Sequence, residues 1–211
     1  MSTTPSSTSA TVDTPRGDTA SRALPYVLTI GGAIGLLPAF ILTIEKIALL
    51  KNPGYTPTCS INPIFSCGSI MSTPQAEAFG FPNPLIGIGG FAVVTTIGVA
   101  SLAGARFPRW FWLGLLAGTT FGVVFVHWLI AQSLYSIQAL CPYCMIVWVV
   151  TIPIFWYTAL NTAQHHLKPS SGVHTAVKKL AQYHTAFLTI WYLVLVALVL
   201  QAFWTYWRTL L

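Results

Sequence analysis

WFWLGLLAGTTFGVVFVHWLIAQSLYSIQALCPYCMIVWVVTIPIFWYTALNTA, residues 110–163, contains no Asp, Glu, Lys or Arg. Wound as one helix it would be about 80 Å long at ~1.5 Å per residue. The hydrocarbon core of a bilayer is only about 30 Å thick. The run must therefore fold back once. The polar cluster Gln132, Ser133, Ser136 and Gln138, followed by Cys141-Pro142, is where it can turn. This predicts one membrane span over residues 110–133 and another over 141–160.

Working outward, three more runs are long and apolar enough to cross: residues 26–44, 84–105 and 185–207. The chain is 55% apolar and 7% charged, with a mean hydropathy of +0.70. A soluble domain carries about 25% charged residues. The expected fold is an all-α integral membrane protein of five transmembrane helices, in which a four-helix bundle is joined by one additional C-terminal span. Residues 1–24, rich in Ser and Thr, read as a disordered tail with no apolar run for a signal peptide. Residues 25–163 form the core, with a polar loop at 51–83. A second loop at 164–184 leads to the last span at 185–211. The net charge of +6 comes from scattered basic residues, which is no signal for nucleic acid.

Basic residues near span ends set orientation. Arg16, Arg22, Arg106, Arg109, Lys168, Lys178 and Lys179 fall on the side of the N-terminus, and Lys46, Lys51 and Arg208 on the other. The N-terminus is expected in the cytoplasm, and the C-terminus and the 51–83 loop outside it. All four cysteines, Cys59, Cys67, Cys141 and Cys144, then share the compartment where disulfides persist. Trp110, Trp112, Trp204, Tyr206 and Trp207 suit interfacial belts. His165, His166, His174 and His184 read as an ordinary polar loop, and His127 as a hydrogen-bonded bundle residue.

Cys141-Pro142-Tyr143-Cys144 places two thiols one turn apart at the start of an apolar helix. Unpaired N–H groups and the positive dipole end lower a thiol's pKa there. Pro142 suits a first helical turn, where a missing N–H costs nothing. Cys59 and Cys67 lie in a loop with Pro53, Gly54, Pro57 and Pro63, expected to be flexible enough to meet a soluble protein. Two such pairs can pass electrons by thiolate attack on a disulfide through a mixed disulfide. The last acceptor must reach Cys144 from the lipid, which points to a lipid-soluble quinone. Two other readings of the cysteines stand beside this one. They can be static staples, or they can hold zinc, although the Cys59/Cys67 spacing is wide for a zinc knuckle and no metal is expected.

Cys59-Ser60, Phe65-Ser66-Cys67-Gly68, the run Phe79-Gly80-Phe81-Pro82-Asn83-Pro84-Leu85-Ile86-Gly87 and Cys141-Pro142-Tyr143-Cys144 together resemble the vitamin K epoxide reductase family, its bacterial branch most closely. The resemblance covers residues 26–160. It implies a four-helix bundle around a quinone (menaquinone or ubiquinone) in the inner, or plasma, membrane, with a half-helix over residues 71–79. It implies that Cys59 exchanges with a thioredoxin-like partner, that Cys67 passes electrons on to Cys141, and that Cys144 faces the quinone. Asn83 matches the family asparagine that bonds a quinone carbonyl; its other reading is a helix cap. Trp148 stands where some members have a tyrosine that donates to the quinone; its indole N–H points differently. Thr73 replaces a serine and keeps the hydroxyl. Many bacterial relatives carry a fused thioredoxin-like domain after the fifth span. Here the partner is expected to be a separate, DsbA-like extracytoplasmic protein. The implied activity is disulfide formation in partner proteins coupled to quinone reduction. The alternative direction is reduction of a quinone epoxide by a dithiol.

Overall fold

A computed structural model describes residues 17–62, 64–165 and 179–210. Five helices in it are long and apolar enough to cross a membrane, so the chain is an all-α, multi-pass membrane protein. Helix α1 (Gly17–Lys51) runs through Pro25 and Pro38. Then come α2 (Cys67–Met71), a 3-10 turn (Pro74–Glu77), α3 (Asn83–Leu102) and α4 (Arg109–Ala131). A π-helix (Gln132–Ile137), α5 (Pro142–His165), α6 (His184–Ala202) and α7 (Trp204–Leu210) complete the order.

Four boundaries differ from expectation. The helix that was to begin after a tail at 1–24 already starts at Gly17; residues 1–16 lie outside the described residues. Ala20, Arg22 and Ala23 are good helix formers, and Leu24 is buried, so the first span extends backward. The half-helix expected over 71–79 is two pieces, α2 and the 3-10 turn, because Ser66 caps the first by accepting from Ser69 N and Pro74 opens the second. The polar turn after α4 is wound as a π-helix that ends at Gln138 with φ 55°. The last span breaks at Phe203 into α6 and α7. Of the histidines in the 164–184 loop, His166 and His174 lie outside the described residues, while His184 bonds to the Ala181 carbonyl at 2.7 Å.

The bundle is a folded row. Helix α1 packs against both α3 and α5, and α4 packs against α5, whereas α3 and α4 barely meet. The α1/α3 contact is close because it is made by backbone. A Cβ on Gly98 would sit 2.5 Å from Thr29 N, and one on Gly32 would sit 2.9 Å from Thr95 N. Small residues permit such approach in membrane bundles, where helices gain from van der Waals contact rather than from hydrophobic burial. Leu28, Phe91, Val94, Ile97, Val150 and Ile154 fill the space between α1, α3 and α5. Helix α6 sits outside the four, and none of its residues is buried.

Candidate active site

Cys59 and Cys67 form a disulfide with their Cα atoms 5.6 Å apart. Cys141 and Cys144 are free thiols. The Cys141 Sγ lies 3.0 Å from the Cys67 Sγ. The two pairs thus touch through one specific couple of sulfurs. The expectation of a flexible loop is corrected here: Cys59 is only 6% exposed, Cys67 0% and Cys141 1%.

Three sets of contacts seat the loop. The first is backbone. Leu140 N donates to Ile64 O at 2.7 Å and Ser66 N to Leu140 O at 3.0 Å, which pairs Phe65 with Leu140 as a parallel bridge. Each strand of that bridge leads directly into a cysteine of the touching couple. Asn62 Oδ1 prepares the turn by accepting from Ile64 N and Phe65 N at 3.0 and 2.7 Å. The second set belongs to Glu45, which is buried near the end of α1. Its Oε1 accepts from Thr58 Oγ1 at 2.6 Å, next to Cys59. The third belongs to Lys46, also buried, whose Nζ donates to Met71 O at 2.6 Å and pairs with Glu77 at 2.9 Å. Two adjacent charges on one helix thereby hold the two flanks of the cysteine loop. Burying either charge alone would be costly, and each is held by partners.

Cys141 immediately precedes α5, and Cys144 N donates to its sulfur at 3.4 Å. The Cys144 thiol and the backbone N–H groups of Cys144 and Tyr143 together hold the Cys141 thiol below the usual thiol range, against the opposing effect of burial. This is the thiolate stabilisation that a helix N-terminus offers. The upstream π-helix is tied into the same place. Ala139 N donates to Ser133 O at 3.2 Å, and the Ser133 hydroxyl bonds to Ala139 O. Such π segments recur at functional sites.

A cavity of about 700 Å³ opens beneath the sulfurs. Cys67, Cys141 and Cys144 line one end, with Lys46, Gln75, Asn83 and Gln132. From there it runs between α3 and α4 as far as Trp110, past Gly89, Gly90, Gly114 and Gly118, none of which has a neighbour within 4 Å of a Cβ position. Asn83 reaches the cavity, but it does not cap α3. Its Nδ2 donates to Gln75 O at 2.7 Å and its Oδ1 accepts from Ala78 N at 3.1 Å, leaving one N–H. Trp148 lines the cavity and is buried. His127 accepts at Nε2 from Trp191 Nε1 at 3.0 Å and is paired at Nδ1 with Val123 O at 2.7 Å, a hydrogen-bonded bundle residue.

The sulfurs of Cys59, Cys67 and Cys141 lie within 4.8 Å of one another, a spacing a soft metal could use. With Cys59 and Cys67 joined, the group offers one thiolate rather than three. Sequence reasoning missed Glu45, Lys46, Gln75 and Gln132. The first two were visible only as the end of a span; the signal was an acid and a base side by side, just before a cysteine loop.

A disulfide in contact with a dithiol, set over a cavity in a helical membrane bundle, defines a membrane protein of disulfide redox chemistry. Residues 26–159 match the model of the Vitamin K epoxide reductase family, and the chain belongs to that family. Membership brings membrane oxidoreductase activity on disulfides, of a kind generally linked to quinones. No match is found among curated proteins.

Proposed function

We propose that this protein oxidises the dithiol of a separate thioredoxin-like protein outside the cytoplasm and delivers the electrons to a membrane quinone. The observation that carries this reading is the unbroken contact from the Cys59–Cys67 disulfide, through the 3.0 Å approach of Cys67 to Cys141, to Cys144 on the cavity wall. The cavity suits the quinone. Its volume of about 700 Å³ falls among ligand sites, its walls are apolar, and the remaining N–H of Asn83 is available at the sulfur end. The gap between α3 and α4 suits a prenyl tail.

In the proposed sequence the partner's dithiol reduces Cys59–Cys67 and leaves with its own disulfide. The Cys67 thiolate attacks Cys141 of an oxidised Cys141–Cys144 pair, which releases the Cys144 thiolate and leaves a Cys67–Cys141 bond. Cys59 then attacks Cys67, and Cys141 departs as a thiolate. The result is an oxidised loop pair beside a reduced helical pair, the arrangement described above. A separation of about 3–3.5 Å is the near-attack range for such steps. A bound quinone supplies the two-electron, two-proton sink that returns the helical pair to a disulfide. Asn83, Gln132 and Lys46 are the polar groups able to orient it. The seven-to-three distribution of basic residues supports a cytoplasmic N-terminus in an inner membrane.

The test uses purified protein in lipid with a reduced thioredoxin-like substrate and a prenylated quinone. Substrate oxidation should track quinone reduction one to one. Cys144→Ala should abolish both, and full turnover in that variant would remove the proposal.

A further inference from the structure

The family match ends at residue 159, yet α6 and α7 are fastened to the bundle by specific contacts. Trp191 Nε1 donates to His127 on α4 at 3.0 Å, and the Tyr192 hydroxyl donates to Val149 O on α5 at 2.6 Å. Phe187 stacks on Trp156 with ring centroids 4.0 Å apart. A helix held only by lipid exclusion could slide or rotate. These bonds set both its depth and its facing. They carry Phe203, at the break between α6 and α7, to a defined position, where it is 5% exposed beside the half-buried Val199, Ala202 and Trp207.

Phe203 is buried in one apolar cluster with Leu134, Leu140 and Trp148, against which Ile64 and Phe65 also pack. Leu140, Ile64 and Phe65 form the backbone bridge that leads into Cys141 and Cys67. An isolated bridge of two hydrogen bonds has little stability of its own. Here it is packed into a cluster that also holds Phe203, a residue from outside the catalytic bundle. We infer that the fifth helix is a buttress for the relay, with Phe203 as the positioning residue that keeps the Phe65–Leu140 bridge closed and so holds Cys67 and Cys141 in register. The inference rests on the proposed exchange between those two cysteines.

The alignment can be read without quinone or partner. In a Cys59→Ala/Cys144→Ala background only the Cys67 and Cys141 thiols remain. A diazene oxidant such as diamide takes two electrons and two protons from them, becoming the hydrazine as the disulfide forms. The rate of closure, followed by loss of maleimide labelling, reports their register. Phe203→Ala should slow closure by about tenfold or more, since a misplacement of about 1 Å costs ~100-fold in comparable cases. Phe203→Leu should restore most of the rate, and Trp204→Ala, at an exposed neighbour, should leave it unchanged. With all four cysteines present, Phe203→Ala should lower kcat while KM for the quinone stays constant. Equal closure rates for Phe203→Ala and its parent would overturn the inference. Should Phe203→Ala not fold, Trp191→Phe, which keeps an aromatic ring and loses the bond to His127, is expected to slow closure several-fold, and an unchanged rate there overturns it equally. If the parent itself never closes although both thiols are free, the exchange between Cys67 and Cys141 fails instead.

Discussion

Thr58→Val should loosen the partner-facing end of the cysteine loop by a calculable amount. The substitution keeps the shape of the side chain and removes one donor, the hydroxyl 2.6 Å from Glu45 Oε1. Glu45 is 5% exposed, so water does not readily replace what is lost. The Thr58 N–H at 3.4 Å is a weaker second contact. A hydrogen bond to a charged group contributes about 1.5–3 kcal/mol. Each ~1.4 kcal/mol is tenfold in an equilibrium, so the open population of the loop should rise about 10- to 100-fold. The assay is maleimide modification of Cys59 in a Cys67→Ala background, where the thiol is free and modification is limited by opening. The rate should rise in proportion to the open population. In the intact protein the same change should speed reduction of the disulfide by a soluble dithiol. A modification rate equal to that of the parent would refute the assignment of Glu45 and Thr58 as the latch on Cys59.

Lys46→Met should destabilise the protein by about 1.5–3 kcal/mol, chiefly through the stranded Met71 carbonyl, because Glu77 is 39% exposed and can rehydrate. Denaturant unfolding in detergent, compared with Lys46→Arg, measures this. Cys141 should ionise below the ordinary thiol range, held down by the Cys144 thiol and the neighbouring backbone N–H groups. A depressed value means that thiolate stabilisation is present above it and is lost as pH falls through it, so exchange should slow on acidification. Thiolate absorbance against pH reads the midpoint, and Cys144→Ala should move it upward by removing the first of the bonds that hold it down. Gly118→Leu fills open space rather than striking a neighbour, so folding should survive while KM for a prenylated quinone rises about tenfold or more. A tail-less quinone should be unaffected in steady-state assays of the same variant.

The five spans were legible because charge is so scarce in this chain. A charge-free run too long for one crossing leaves only the question of where it turns, and the polar residues between Gln132 and Gln138 answered it. The form of that turn was not legible. A π-helix depends on how Ser133 meets Ala139, which is a tertiary contact. The cysteines were legible by type and spacing, but their burial was not. Pro53, Gly54 and Pro57 read as a mobile loop because each breaks regular structure. What holds the loop still is a set of single long-range bonds, Thr58 to Glu45 and Leu140 to Ile64. Such pairings leave no periodic trace in sequence. Asn83 was read as either a ligand donor or a cap, while its amide is largely committed to Gln75 and Ala78.

The loop is held unequally, and the inequality bears on which cysteine would meet the proposed partner. On the side of Cys67 there are the Ser66 cap, the backbone bridge to Leu140 and the Lys46 bond to Met71. Cys67 therefore moves only if α2, the bridge and an ion pair are disrupted together. The side of Cys59 is tied to α1 through the Glu45–Thr58 contact, and its other bonds stay within the loop: Ser60 N to Pro57 O at 3.0 Å, Ile61 N to Phe65 O at 2.8 Å and Gly68 N to the Ser60 hydroxyl at 3.2 Å. Local opening follows the path with the fewest bonds to break. That path swings Cys59 outward while Cys67 keeps its 3.0 Å approach to Cys141. A relay needs one sulfur free to leave the protein surface and another that never loses its internal target. Under the proposed relay, these contacts would give the first duty to Cys59 and the second to Cys67.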